Sequence, residues 1–381
     1  MTAPIKRHLL APGPTPVPER VALAMARPAL YHRAPEFAEV LLDCVAKLRL
    51  LFKTAEPVVL LSASATGGME AAVANLLGPG DAAVVVRGGK FGERWGDLCS
   101  AYGVPFEAID VEWGRSVDPA SVDAALAKRP DAKALLVTAS ETSTGVRHPV
   151  EALGPICRAR GALLVVDGVT AVGCFDVPMD AWGIDCMVVG SQKALMLPPG
   201  LTAVALSARA REALERSKHP RYYFDLRKEL KNHEKGQTAF TPATSLVVGL
   251  REALTMIEEE GLDNVFARHA RLAHATREGA RALGLELFAD RPTPACTAIR
   301  VPAGVDGSAL VKRIRERWGV TIAGGQDRLK GKIIRLAHLG WAAEFDTLIA
   351  LAAVELGLAD LGHPVQPGAG VGAAETALRA S

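Results

Sequence analysis

The sequence predicts an α/β chain: a mostly parallel sheet covered by helices on both faces, followed by a smaller α+β domain. Three observations predict it. Short strands that are apolar throughout alternate with helices up to about residue 206, and a strand of that kind has both faces buried. Beyond about residue 250 the texture changes to long helices with two or three short strands between them. The 381 residues, 49% hydrophobic, are also enough for two or three domain-sized units.

Taken in order, the first 20 residues are rich in proline and read as an extended arm. "VALAMARPAL" and "PEFAEVLLDCVAKLRLLFKT" read as helices, the second with apolar spacings near three and four. Alternating units follow. "PVVLLSA", "AAVVVRG", "KALLVTAS", "ALLVVDG", "CMVVGSQK" and "LTAVALS" are the strands. "GGMEAAVANLL", "FGERWGDLCSAYG" and "VEALGPICRARG" are the helices between them. The first of these stops at Gly78, Pro79 and Gly80. Next come the long helices "SLVVGLREALTMIEEEG" and "DNVFARHARLAHATREGARALG". The short strands "TAIRVPA", "VTIAGG" and "KIIRLAH" precede the helix "EFDTLIALAAVELGLADLG". The small, polar tail after it is expected to form a short helix that frays. The implied division is an arm over 1–20, a large domain over 21–255 and a small domain over 256–381.

Composition excludes several classes. The net charge is +2 with 23% charged residues and no Lys/Arg cluster, so a nucleic-acid surface is not expected. No stretch approaches the ~18 consecutive apolar residues of a membrane span. The N-terminal residues reach proline before any signal-like apolar run. The six cysteines form no C-x-x-C pair, which suits neither a disulfide framework nor a zinc site. A cytoplasmic protein without a metal is expected.

The segment "VVGSQKALMLPPG" sets Lys193 in an apolar run. Lysine is almost never buried unless its charge is compensated. Ligands of open α/β sheets bind beyond the carboxyl ends of the strands, and three candidate features stand there. Lys193 follows one strand and Asp167 ends another. "SASATGGMEAAV" follows a third, with Ser62, Ser64, Thr66, Gly67 and Gly68 leading into a helix. Such a helix start is an anion site, although serine or threonine there is also an ordinary cap. It has neither the dinucleotide nor the P-loop fingerprint. A lysine for a Schiff base, a carboxylate for a pyridine nitrogen and an anion site for a phosphate are what pyridoxal 5′-phosphate needs. A lysine bound in that way has lost or delocalised its charge.

The motifs "APGPTPVP", "YHRAPEF", "GGMEAAVANLL", "ETSTGV", "GSQKALMLPPG", "FTPATS" and "KIIRLAHLGW" resemble, in order and over the whole chain, the class V aminotransferases of the fold-type I group. Within it the resemblance is greatest to the alanine–glyoxylate and serine–glyoxylate (or pyruvate) aminotransferases. It implies a seven-stranded sheet in the large domain and a homodimer with shared sites. By this likeness Lys193 is the Schiff-base lysine and Asp167 the pyridinium partner. Ser64, Ala65 and Thr66, with Gln192, match phosphate contacts. Ala65 departs from the glycine common there. Thr142 matches a hydroxyl near the phenolic oxygen, and Val169 a side chain beneath the ring. Phe91 falls where many relatives stack tryptophan, and Trp95, four residues on, competes for the role. Thr238 and Thr241 match residues reaching the neighbouring subunit's phosphate, and Arg335 matches the substrate-carboxylate clamp. His32 and Arg33 are expected near the site, and His338 packed near Arg335.

The implied reaction is ping-pong transamination between alanine or serine and glyoxylate or pyruvate, with Lys193 as general base. Two rivals stand beside it. Cysteine desulfuration wants a cysteine in a flexible loop; the segment before Arg335 has none, and Cys296 precedes a predicted strand. A non-catalytic cofactor-binding subunit would not need Lys193, Asp167 and Arg335 together.

Overall fold

A computed structural model describes residues 6–380. Its central sheet has seven strands: β1 (Val58–Leu61), β2 (Ala82–Arg87), β3 (Phe106–Asp110), β4 (Ala132–Thr138), β5 (Leu163–Asp167), β6 (Cys186–Gly190) and β7 (Thr202–Leu206). Their spatial order is β1-β7-β6-β5-β4-β2-β3. Only β7 runs antiparallel, to both of its neighbours; the other pairings are parallel. The register aligns Thr138 with Asp167 and Asp167 with Val188, so these strands finish side by side at one edge.

Side chains alternate across a strand, and here both faces are covered. One core gathers Leu60, Val84, Leu135, Val137, Leu164, Val166 and Met187 beneath the helices Pro35–Phe52 and Thr244–Glu260. The other gathers Val59, Val85, Leu136, Val165, Val188 and Val204 beneath helices α1 (Ala65–Leu76) and α2 (Lys90–Ala101). Helix Thr244–Glu260 runs across residue 255 and buries Val247, Leu250, Ala253 and Leu254 in the first core.

A separate core holds Leu310, Ile314, Ile334, Leu336, Leu351 and Val354. It lies around a three-stranded antiparallel sheet of β8 (Cys296–Arg300), β9 (Ala323–Gly324) and β10 (Ile333–Ala337), with β10 in the middle.

The N-terminal segment joins the parts. His8–Leu9 pairs in parallel with Val320–Thr321, and Leu10 O accepts from Ala337 N. Thr15 then binds the lysine loop, its N–H to Gln192 O and its hydroxyl to Lys193 O. Gly13, at φ +124°, passes so near that a Cβ would stand 1.9 Å from Lys193 Nζ. The first five residues of the expected arm lie outside the described residues.

Three sequence expectations change. The edge strand β3 reads poorly as a strand because it is half-exposed and carries Glu107 and Asp110. Helix Pro119–Lys128 lies outside the elements read from the sequence, although Asp118 caps it by accepting from Ala120 N and Pro119 opens it. The tail does not fray. Helix Ala369–Ala380 buries Gly370, Ala374 and Ala377, and Glu355 accepts hydrogen bonds from Gly368, Gly370 and Val371 N. A Cβ on Gly279 would lie 2.7 Å from Gly370 O, so the small residues allow the helices to pack closely.

Candidate active site

A cavity with about 480 Å³ of empty space opens at the carboxyl edge of the sheet. Ser64, Ala65, Thr66, Phe91, Thr142, Asp167, Val169, Gln192 and Lys193 line it. Nine of the expected site residues therefore converge from five segments. Arg335, Thr238 and Thr241 do not line it.

Asp167 ends β5 and is buried. Its carboxylate accepts from Val169 N at 2.9 Å and from Thr138 Oγ1 at 3.4 Å. Among the described residues no cation forms an ion pair with it. Burial raises its pKa to about 6, with the Val169 N–H and the Arg94 charge opposing that shift. A buried carboxylate without a cation is costly, and a pyridinium nitrogen would supply one.

Lys193 follows β6 on a turn that Ser191 staples. The Ser191 hydroxyl donates to Pro198 O at 2.8 Å and accepts from Leu201 N. Ala194, Leu195, Met196 and Leu197 are buried beyond it, so the apolar run is the anchor of the lysine loop. The amine donates to Pro12 O at 2.5 Å. Burial lowers its pKa from 10.5 to about 8. Gln192 leaves a buried Oε1 with no hydrogen-bond partner in the structure.

Ser64 stands at the N-cap of α1, so the first amides of that helix belong to the cavity edge. Ala65 meets Gly190: a Cβ on Gly190 would lie 2.9 Å from the Ala65 methyl. The helix-start donors, the carboxylate and the amine fit pyridoxal 5′-phosphate.

Phe91 and Trp95 part company. Phe91, in the first turn of α2, lines the cavity. Trp95 is fully buried in the core over Val85. Arg94, Ser140, Thr170 and Met69 also line the cavity and were missed in the sequence. Arg94 had a signal, since three residues along a helix share a face with Phe91; its guanidinium lies 4.9 Å from the Phe91 ring centroid.

Arg335 sits buried in the middle strand of the small sheet. Its Nε and Nη2 donate to Gly324 O, and Nη1 donates to Thr142 O at 2.8 Å. Thr142 is its link to the cavity wall. Guanidinium has five N–H donors, so two remain for a ligand.

Thr238 and Thr241 line a different cleft, with Ser62, Tyr223 and Phe240. Arg33 donates to Gln237 Oε1 and Thr238 O, and His32 meets Tyr31 edge-on; neither lines the cavity. His338 shares a hydrogen bond with Thr297 Oγ1 and contacts Pro294 O. Burial pushes it down to about 3. Cys296 begins β8 with no exposure, and burial raises its thiol to about 11. It is not on a mobile loop. Among the described residues no helix is long and apolar enough to cross a membrane.

Comparisons with known proteins identify the family. A family model of the class V aminotransferases matches residues 9–337. The chain is 43% identical over 379 residues to a soluble hydrogenase small subunit of a Synechococcus species, with 98% of each covered. It is 37% identical over 389 residues to the serine–glyoxylate aminotransferase of Methylorubrum extorquens, covering 99% of this chain and 97% of that one. The solved ureidoglycine–glyoxylate aminotransferase of Bacillus subtilis matches with a TM-score of 0.95 at 29% identity, covering 100% and 99% of the two chains.

The fold and site define a fold-type I transferase. The chain belongs to the class V aminotransferases, a membership that implies dependence on pyridoxal 5′-phosphate and supports transamination as the activity.

Proposed function

We propose that this chain moves an amino group from a small L-amino acid, alanine or serine, to glyoxylate or pyruvate. One observation carries the reading: Lys193, Asp167 and the α1 helix start line a single cavity. Ser64, Ala65, Thr66 and Gln192 would hold the phosphate, Thr142 the phenolic side, and Phe91 and Val169 the ring. Pyridoxal 5′-phosphate, when bound, supplies an electron sink that makes a proton on the substrate's Cα removable.

The chain's own groups do the rest. An amine with a pKa near 8 has a far larger neutral fraction at neutral pH than one at 10.5, so Lys193 can take and return the Cα proton. Asp167, near 6, stays mostly ionised at pH 7 and holds a proton on the pyridine nitrogen. Arg335 orients the substrate carboxylate with its two remaining donors. Donor and acceptor use the site in turn, so steady-state kinetics with serine and glyoxylate should give parallel double-reciprocal lines. Intersecting lines would contradict the reading.

The Arg335 role has its own test. A charge-assisted hydrogen bond contributes roughly 1.5–3 kcal/mol, and about 1.4 kcal/mol is tenfold in affinity. Arg335→Ala should therefore weaken alanine and glyoxylate binding about ten- to a hundredfold, and Arg335→Lys should recover part of that. Ethylamine, which lacks the carboxylate, should be hardly affected. Equal losses for alanine and ethylamine would make Arg335 purely structural.

We also read the chain as a homodimer in which Thr238 and Thr241 reach the partner's phosphate site. The cleft they line lies beside an aromatic cluster, Tyr223 stacked on Phe240 at 5.1 Å and Tyr222 73% exposed. Mixing a Lys193→Ala chain with a Thr241→Ala chain should then restore activity in hybrid dimers. Continued inactivity, with exchange shown by mass, would mean that each chain builds its own site. The division at residues 20 and 255 is likewise our reading. Six free, buried cysteines support a cytoplasmic location.

The name of the Synechococcus relative favours a second reading, a chain that keeps the fold as a subunit of another enzyme. Lys193 and Asp167 lining one cavity, with Arg335 tied to its wall through Thr142, support catalysis instead.

A further inference from the structure

Glu141 is a buried carboxylate that the reaction above does not use. It has no exposure, and among the described residues no cation forms an ion pair with it. Four donors converge on it. Oε2 accepts from Phe91 N at 3.0 Å and Gly92 N at 2.8 Å. Oε1 accepts from Ser143 N at 3.1 Å and from the Ser143 hydroxyl at 2.6 Å.

Phe91 and Gly92 belong to the first turn of α2, where amides lack partners inside the helix and the dipole favours a negative charge. The fit is tight. A Cβ on Gly89 would lie 2.5 Å from the Glu141 carboxyl carbon and 2.4 Å from Ser143 Oγ, while Lys90 N donates to that same hydroxyl. Glu141 also stands between Ser140 and Thr142, which both line the cavity. One carboxylate therefore joins the turn that presents Phe91 to the loop that Arg335 holds.

We propose that Glu141 is a positioning residue: by binding the amides of Phe91 and Gly92 it sets the aromatic face against which the cofactor ring lies, in register with Thr142. The inference rests on the cofactor reading above. Capping a helix would be served by an exposed serine or aspartate. A buried carboxylate is costly, and it is matched here only because all four partners are donors. Burial raises its pKa while the Ser143 and Gly92 donors oppose the shift.

Glu141→Gln keeps the shape but turns one acceptor into a donor that faces N–H groups. Titrating pyridoxal 5′-phosphate into the cofactor-free chain, followed by absorbance and tryptophan quenching, reads the effect without any turnover. The Gln variant should bind about ten- to a hundredfold more weakly than wild type. If Glu141 acts through Phe91, the loss should shrink to within about threefold when it is introduced into Phe91→Ala, since coupled residues are not additive. Should the Gln variant fail to fold, Ser143→Ala removes one of the donors to Glu141. It should show a smaller loss of the same sign, again absorbed by Phe91→Ala. Losses that add in full would overturn the inference, as would unchanged affinity in the variant beside a wild type that binds. A wild type that does not bind would overturn the cofactor reading, and this inference with it.

Discussion

Lys193→Ala should lower turnover with alanine and glyoxylate by at least roughly 10²–10⁴-fold, the scale of general acid–base catalysis. No other primary amine lines the cavity among the described residues, so no neighbour can replace it. The turn should survive, because Ser191 and the buried Ala194–Leu197 run hold it and the Lys193 side chain does not. A folded variant that retains pyridoxal 5′-phosphate only loosely and turns over slowly is the expected result. Near-wild-type turnover would remove Lys193 from the chemistry.

Asp167→Asn should slow Cα proton removal by about a hundredfold while the cofactor still binds. Asparagine preserves the shape but not the charge that keeps the pyridine nitrogen protonated. A lost charge-assisted hydrogen bond of about 3 kcal/mol corresponds to roughly that factor in rate. The pH dependence follows from the same group. Asp167 in the cofactor-free chain titrates near 6 because burial disfavours its charge. Cofactor affinity should thus be present above that pH and fall as pH drops through it, and the Asn variant should lose this limb. An unchanged single-turnover rate with alanine would show that Asp167 has been given the wrong role.

The parts of the molecule legible in its sequence are those that local pattern records. Strands buried on both faces read as apolar runs, and the residues just beyond them, Asp167 and Lys193, could be placed at one edge before any contact was known. The edge strand β3 is half-wet, so its pattern is mixed and it escaped. The tail helix escaped for another reason: its glycines and alanines look weakly helical alone, and their use, close approach to Gly279, depends on a helix some ninety residues earlier. Glu141 and Phe91 meet across fifty positions, and neither segment announces the other. Phe91 and Trp95 share a helix face one turn apart. The first turn stands at the sheet edge and the next lies over the sheet, a phase that only the fold decides. The contact of Ala65 with Gly190 is likewise a property of two segments together.

The most direct test of the central claim is a half-reaction. The purified chain, loaded with pyridoxal 5′-phosphate, is mixed with excess alanine or serine and no 2-oxo acid acceptor, and the 2-oxo acid formed is counted against Lys193 sites. The account predicts one equivalent per site and then arrest, with turnover resuming when glyoxylate is added. A loaded chain that forms no 2-oxo acid from any member of an amino-acid panel would contradict it, and would leave the subunit reading in its place.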